Sequence, residues 1–325
     1  MRTILHVHNV VLIGGVPSFI VDLAAALDGF NHVAVALNQE REEPGAIQML
    51  NDAGISCSTA PALTKEVVET LDPDLIFLHN ISGASLQGKH PWSWIRDWPT
   101  VSWHHSAVSQ TVPTDLHIFV SHFVESMYSN LVKSRFIKRY KIIPPCIQTV
   151  RYQGRPSQWK YRLGKIAAPF NQAKYPQHLC HLCVKNGWKI LFPGASVWWG
   201  SAAVLDAPAP AWWKVPEWLS LMEIFVYVNE PSAPETWCRA VTEAMAAGKP
   251  VIADRAGGIP EQITDMKDGV LVQPGDWDEI EAAIKLLLAK PAFALQLGMA
   301  AFKRARGVDI SVLKASLESE LLRMM

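Results

Sequence analysis

The sequence lacks a net charge. Thirty lysines and arginines balance thirty aspartates and glutamates, so a general attraction to nucleic acid or to an anionic membrane is not expected, and any anion site must be local. It also lacks a membrane-spanning run: the longest apolar stretch, residues 10–27, is interrupted by Gly14, Gly15, Pro17 and Asp22, which leaves no clean span. The opening MRTILHVHNVVLIGG is broken by His6, His8 and Asn9 and leads to no small-residue cleavage site, so a buried first strand is expected and not a signal peptide. Cysteine is sparse. The five thiols (Cys57, Cys146, Cys180, Cys183, Cys238) are odd in number and widely spread, in a chain too large to need disulfide staples, which points to a reducing cytoplasm. A dinucleotide fingerprint is missing as well. The loop after the first strand is LIGGVPS and the second strand ends at Asn38, where GxGxxG and an acidic residue would be required, and this argues against a dehydrogenase.

What is present is a globular composition, 49% hydrophobic and 18% charged over 325 residues, enough for two domains with a core each. Short apolar runs at residues 3–10, 32–37, 74–79, 100–104 and 117–120 alternate with helical patterns, the rhythm of parallel βα units. A polar stretch, QTVRYQGRPSQWKYR, follows Pro144-Pro145 and reads as a linker. The rhythm then resumes, with strands expected near 163–168, 189–192, 224–227, 250–253 and 269–272 and helices at 177–186 and 237–247. Residues 194–218, rich in Ala, Pro and Trp without a period, are expected to form a structured loop. The expected fold class is therefore α/β, two Rossmann-like parallel-sheet domains at 1–150 and 151–308, with a last helix within 309–325 able to pack back on the first. Open sheets of this kind bind ligands beyond the carboxyl ends of their strands, and two of them side by side would make a cleft.

The densest signal is EPSAPETWCRAVTEAMAAGKPVIADRAGGIPEQI, residues 230–263. Glu235 is expected at the start of a helix that Gly248 closes as a C-cap, with Glu243 eight residues on. Along a helix, eight residues advance about 12 Å and return to within roughly 80° of the same face. Two carboxylates so spaced can grip opposite ends of one elongated, hydroxyl-rich ligand. The backbone N–H groups of Thr236, Trp237 and Cys238 would be the unpaired donors of the first turn, a cradle for phosphate. The plainer reading makes Glu235 a helix-start acid favoured by the dipole and Glu243 an ordinary surface glutamate.

Taken together, Pro231-Ser232, the Glu235 to Glu243 spacing, Glu243-Ala244-Met245-Ala246, Gly248, Pro250-Val251-Ile252-Ala253 and Gly257-Gly258-Ile259-Pro260-Glu261 resemble the donor-binding motif of retaining GT-B glycosyltransferases of the group 1, family 4-like type. The resemblance implies the GT-B fold, two Rossmann-like domains facing across a cleft. It implies transfer of a sugar from a nucleotide-diphosphate sugar, UDP- or GDP-linked, to an acceptor hydroxyl with retention of configuration. Glu235 would contact the donor sugar's hydroxyls and Glu243 the ribose. The family places a histidine after the strand that here reads TVSW, facing the transferred sugar; His104 aligns better than His105, and His79, after DLIFLHN, is a less specific candidate. A histidine there orients hydroxyls or phosphate and titrates near neutrality; its plainer use is to cap a strand end. Gly14-Gly15, after the first strand, lets the backbone approach a ligand closely or forms a simple tight turn.

The family holds the diphosphate with an arginine and, five residues later, a lysine. Lys174 fits the lysine, Pro169 stands in the arginine's place, and Arg162, Lys165 and Arg239 are the replacements at hand. Losing a bidentate partner should weaken the hold on the leaving nucleotide. No metal and no other cofactor is implied, because helix amides and Lys174 would stabilise the departing diphosphate. The acceptor, whether glycan, lipid or small molecule, is not legible. A non-catalytic binder of nucleotide sugars, motivated by Pro169, and a GT-B epimerase are the alternatives.

Two clusters remain. HLCHLC, residues 178–183, has metal-like spacing, but Cys180 and Cys183 also sit at i and i+3 of a helix and no second CxxC pair exists, so packing is expected. Trp92, Trp94, Trp98 and Trp103 could stack on sugars or rest at a membrane interface, leaving a weak peripheral contact open, while core packing is the plainer use.

Overall fold

The computed structural model describes residues 1–8, 15–37, 44–81, 91–106, 111–154, 159–166, 174, 176–193, 204–207, 214–232 and 234–325. The chain forms two compact units, Met1–Cys146 with Ile310–Met325, and Ile147–Asp309.

In the first unit the described strands are β1 (Thr3–His8), β2 (Asn31–Leu37), β3 (Ser56–Ala60), β4 (Leu75–His79), β5 (Thr100–His104), β6 (Leu116–Phe119) and β7 (Tyr140–Ile142), with helices α1 (Gly15–Ala26), α2 (Pro44–Asp52), α3 (Lys65–Leu71), α4 (Pro91–Ile95), α5 (His122–Met127) and α6 (Ser129–Lys133) between them. The sheet order is β3-β2-β1-β4-β5-β6-β7, and each pairing is parallel. The order reverses between β1 and β4, the switch point at which sheets of this kind open for ligands. Alternation within β1 sorts its side chains: Leu5 and Val7 join Val35, Ile76 and Leu78 in one apolar layer, while Ile4, His6 and His8 face the other way. The last helix, α13 (Ile310–Met324), buries Leu313, Leu317 and Leu321, one side of a helix at four-residue spacing, and packs on α1. Glu320 on its polar side pairs with Arg139 at 2.9 Å and with Lys141.

In the second unit the described strands are β8 (Tyr161–Gly164), β9 (Ile190–Pro193), β10 (Val204–Ala207), β11 (Met222–Tyr227), β12 (Val251–Asp254) and β13 (Val270–Val272), with helices α7 (Gln177–Asn186), α8 (Val215–Ser220), α9 (Arg239–Ala246), α10 (Ile259–Gln262), α11 (Trp277–Ala289) and α12 (Pro291–Ala305). The order β10-β9-β8-β11-β12-β13 again reverses, between β8 and β11. Ile224 and Val226 enter the layer under α7 and α11, and Phe225 and Tyr227 the layer under α9. Gly298 of α12 lies against the end of α9: a Cβ there would come within 2.3 Å of the Gly248 carbonyl.

The structure corrects one expectation and agrees with two others. The stretch 194–218 is not all loop, because its described residues include β10 and the start of α8, which Pro216 opens from a first-turn position. Cys180 and Cys183 belong to the apolar layer with Leu179 and Leu182, and burial pushes their thiols up to about 11 and about 12, as packing requires. Trp103 is buried, and Trp94 and Trp98 meet edge to face at 6.4 Å against the first unit's core. Among the described residues no single helix is long and apolar enough to cross a membrane.

Candidate functional site

The carboxyl ends of β8, β11 and β12 bring polar side chains together beside the second unit's switch point. Lys165, the residue after β8, is buried, and its ammonium donates to Val228 O and, at 2.9 Å, to Asn229 Oδ1. It also lies 4.5 Å from the centre of the Tyr227 ring, a cation–π contact. Asp254, ending β12, accepts from the Asn229 N–H at 2.7 Å. Burial pushes Lys165 down and Asp254 up, because each charge has left water. Arg162, by contrast, sits two residues before the end of β8 and pairs with Glu223 at 2.7 Å.

Glu235 stands next to this cluster. Its Oε1 accepts from Tyr227 OH at 2.7 Å and from the Lys174 ammonium at 2.6 Å, with 14% of the glutamate and 22% of the lysine side chain exposed. The Gly257-Gly258 turn fixes the backbone beneath it: Gly258 N–H donates to Glu235 O at 2.7 Å. Gly257 has φ +61°, and a Cβ there would fall 2.1 Å from that carbonyl, so only glycine fits. The carboxylate and ammonium assigned to the two ends of a sugar diphosphate are therefore in contact.

Glu235 is not on the helix, contrary to expectation. α9 begins at Arg239 with Cys238 as N-cap, so the helical 12 Å and 80° relation to Glu243 does not hold. The phosphate cradle expected at Thr236, Trp237 and Cys238 changes with it. The Cys238 N–H donates to Gln262 Oε1 at 3.0 Å, and Gln262 Nε2 returns bonds to Cys238 O at 2.9 Å and Thr242 Oγ1 at 2.7 Å. Trp237 Nε1 donates to Thr242 Oγ1 at 3.2 Å. The helix-initiating donors are instead those of Arg239, Ala240 and Val241. Glu243 is buried on α9 and accepts from Arg239 Nε at 2.7 Å. Gly248, in the left-handed region at φ +69°, follows the helix end as expected.

In the first unit, Gly15 opens α1, while Gly14 and, in the second, Pro169 lie outside the described residues. His104 is buried on β5, with Nδ1 bonded to Tyr128 OH at 3.1 Å and Nε2 to His117 Nδ1 at 2.9 Å. His105 is only half-buried. Its backbone N–H and that of Ser106 both donate to Asn80 Oδ1, at 2.7 and 3.0 Å, from an Asn80 in the left-handed conformation at φ 55°. His79 and His105 approach at 3.4 Å between Nδ1 and Nε2. Tyr227, Asn229 and Asn80 carried no motif in the sequence, and Asp254, though inside the 230–263 stretch, was not singled out; their common signal is a polar residue at or just after the last position of a buried strand.

Residues 211–304 match the family model described as Glycosyl transferases group 1. Among curated relatives, the GDP-mannose-dependent alpha-(1-6)-phosphatidylinositol monomannoside mannosyltransferase of Mycolicibacterium smegmatis is 47% identical over 58 residues, 18% of this chain and 15% of its own length. The D-inositol 3-phosphate glycosyltransferase of Corynebacterium diphtheriae is 33% identical over 103 residues, 32% of this chain and 24% of its own. The matched segment thus spans less than a quarter of either relative. Among solved structures, Anabaena Alr3699/HepE in complex with UDP superposes with a TM-score of 0.78 at 16% identity, over 99% of this chain and 100% of that one. Sucrose-phosphate synthase from Thermosynechococcus elongatus does so with 0.73 at 16%, over 100% of both. The fold is that of the GT-B glycosyltransferases. Over residues 211–304 the chain is similar to the Glycosyl transferases group 1 family.

Proposed function

We propose that this protein transfers a sugar from a nucleoside diphosphate sugar, UDP- or GDP-linked, to an acceptor hydroxyl, with retention of configuration and without a bound metal. The observation that carries the reading is the contact of Glu235 with Lys174 and Tyr227 at the carboxyl ends of the second unit's central strands, with Glu235 and Tyr227 inside the segment that matches the family model. Lys174 would leave Glu235 for the donor's diphosphate, and Glu235 would turn to the sugar hydroxyls. The amides opening α9 would add their partial charge to the departing phosphate, and Glu243, held by Arg239, would take the ribose. Lys165, held between Asn229 and the Tyr227 ring, is the replacement at hand for the missing arginine.

In the first unit Gly14-Gly15 would admit the ligand. The geometry favours His105 over His104 as the histidine turned to the sugar, since both ring nitrogens of His104 are engaged inside the core. The acceptor is a glycan, lipid or small molecule, and the odd, scattered thiols keep the cytoplasm as the compartment of this reading, with peripheral membrane contact confined to whatever the acceptor demands.

Calorimetric titration with UDP, GDP, ADP and their glucose or mannose conjugates tests the reading, followed by an assay for nucleotide release with the best binder. Selective binding of one conjugate, weakened by Glu243→Ala, and release dependent on an acceptor are expected. Binding without release under any acceptor would replace the transferase with a non-catalytic binder, and a free sugar isomer made without acceptor would indicate an epimerase.

A further inference from the structure

Four histidines cross the first unit's sheet in hydrogen-bonded succession. His32, the second residue of β2, lies with Nε2 3.0 Å from the carbonyl of Leu27, just past α1. Its Nδ1 is 2.9 Å from His6 Nε2 on β1. His6 Nδ1 is 3.1 Å from His79 Nε2 at the end of β4, and His79 Nδ1 is 3.4 Å from His105 Nε2 beyond β5. The bonded rings lie edge to edge and nearly coplanar: His6 is tilted 23° from His32 and 22° from His79, with centroids 5.2 and 5.4 Å apart. Phe19 of α1 lies across the far end, against His79, His105 and Trp103.

The direction of this chain follows from one atom. A carbonyl oxygen can only accept, so His32 Nε2 carries a proton and donates it to Leu27. A neutral imidazole has one N–H and one lone pair, so His32 Nδ1 is then an acceptor and His6 Nε2 must donate to it. By the same step His6 Nδ1 accepts from His79 Nε2, and His79 Nδ1 accepts from His105 Nε2. Every ring is neutral, because burial holds His6, His32 and His79 below the ordinary histidine value and His105 down to about 3. What remains at the end is the lone pair on His105 Nδ1, which has no partner among the described residues, on a residue whose backbone Asn80 has already pinned.

We infer that His32, His6 and His79 are positioning residues: they lock His105 as its Nε2–H tautomer and so present its Nδ1, at the carboxyl edge of the sheet, as a hydrogen-bond acceptor for a ligand hydroxyl. The hydroxyl is that of a sugar, a step that rests on the nucleotide-sugar reading above. A second histidine pair supplies an internal contrast. The one hydroxyl proton of Tyr128 goes to Ser106 O at 3.0 Å, so the phenol oxygen accepts from His104 Nδ1–H, His104 Nε2 accepts from His117 Nδ1–H, and the Thr114 hydroxyl, 3.3 Å from His117 Nε2, donates to that nitrogen. The two chains in one sheet require opposite tautomers.

Histidine-selective ¹⁵N NMR on the intact protein reads this directly. Couplings through the N–H···N bonds between His32 Nδ1 and His6 Nε2, and between His6 Nδ1 and His79 Nε2, are expected, with unprotonated Nδ1 at His105 and protonated Nδ1 at His104 and His117. A protonated His105 Nδ1, or absence of both couplings, overturns the lock, and neither result needs a variant to fold. His32→Phe removes the terminal donor, so a second tautomer should appear at His105; an unchanged single tautomer there would also overturn the lock. Adding UDP-glucose or GDP-mannose, whichever calorimetry shows to bind, should shift His105 Nδ1, where the nucleotide alone does not. Binding without that shift overturns the hydroxyl assignment. If no nucleotide sugar binds, the proposed function and the hydroxyl assignment fail together, while the couplings still decide the lock.

Discussion

At the scale of single residues, the candidate site rests on one carboxylate that is held by contacts a ligand can replace. Glu235 makes two side-chain bonds, to Lys174 and to the hydroxyl of Tyr227, whose ring belongs to the layer under α9, and the carboxylate meets the polar end of that ring. Glu235→Ala should therefore leave the thermal midpoint within a few degrees of the parent while lowering kcat by about a hundredfold or more, the loss typical of removing a group that acts on the transition state. Glu235→Gln, which keeps the bond from Tyr227 and drops the charge, separates hydrogen bonding from charge. Parent-like turnover in both variants would remove Glu235 from the site. Gly257 makes the complementary test. Gly257→Ala forces a side chain into a left-handed backbone and against the Glu235 carbonyl, so it should cost at least about 1 kcal/mol and also displace Glu235. A fall in donor affinity together with the melting temperature is expected. Loss of stability with unchanged affinity would mean that the glycine serves the turn alone.

At the scale of elements, α13 shows how packing is distributed along the chain. Leu317 is fully buried between Leu313 and Leu321 on the side that meets α1, although nearly 300 residues separate the two helices in sequence. Leu317→Ala should destabilise the first unit by about 2–5 kcal/mol, as large-to-small changes in a core do, visible as an earlier chemical unfolding midpoint with unchanged slope. The buried strands and α7 were legible before the structure, because residues such as Thr100 to His104 or Gln177 to Asn186 carry a clean apolar run or period. Three edge strands were not. Ser56 to Ala60 is made of small, half-exposed residues, Tyr140 to Ile142 is three residues long, and Val204 to Ala207 is short and embedded in an Ala/Pro/Trp stretch; an edge strand buries too little to leave a hydrophobic signature. The site divides the same way. The motif from Glu230 to Ile263 was legible because its glycines and prolines mark a particular backbone. The start of α9 was not: Gln262, twenty-four residues away, takes the Cys238 N–H, and the helix begins at Arg239, two residues later than its sequence pattern. Nor could the choice between His104 and His105 be read, since adjacent strand-end residues face opposite sides and only the packing of Tyr128 and His117 on one of them decides.

At the scale of the whole molecule, the two units carry buried ionisable groups of opposite response to acid. The first unit holds His6, His32, His79, His104, His105 and His117, each with its pKa lowered chiefly by burial. In the unfolded chain these residues titrate near 6.5. Below that value the unfolded state binds more protons than the folded state, so stability is complete above about pH 6.5 and falls as the pH falls toward the folded values, which for His117 and His105 are about 4 and about 3. Each histidine fully charged in the unfolded chain alone contributes up to about 1.4 kcal/mol per pH unit. In the second unit the buried Asp254 has its pKa raised, so the folded state is the better proton binder through the upper acid range, and the sign is reversed. Scanning calorimetry at pH 7.5, 6.0 and 5.0 should therefore show a transition belonging to the first unit that moves steeply to lower temperature, while that of the second moves little. His6→Leu removes one protonation from the unfolded ensemble and should flatten the first transition's pH dependence by roughly one histidine's worth. A first-unit transition that holds its temperature down to pH 5.0 would mean that these imidazoles accept protons in the folded state, and the neutral hydrogen-bonded chain from His32 to His105 could not then persist in mild acid.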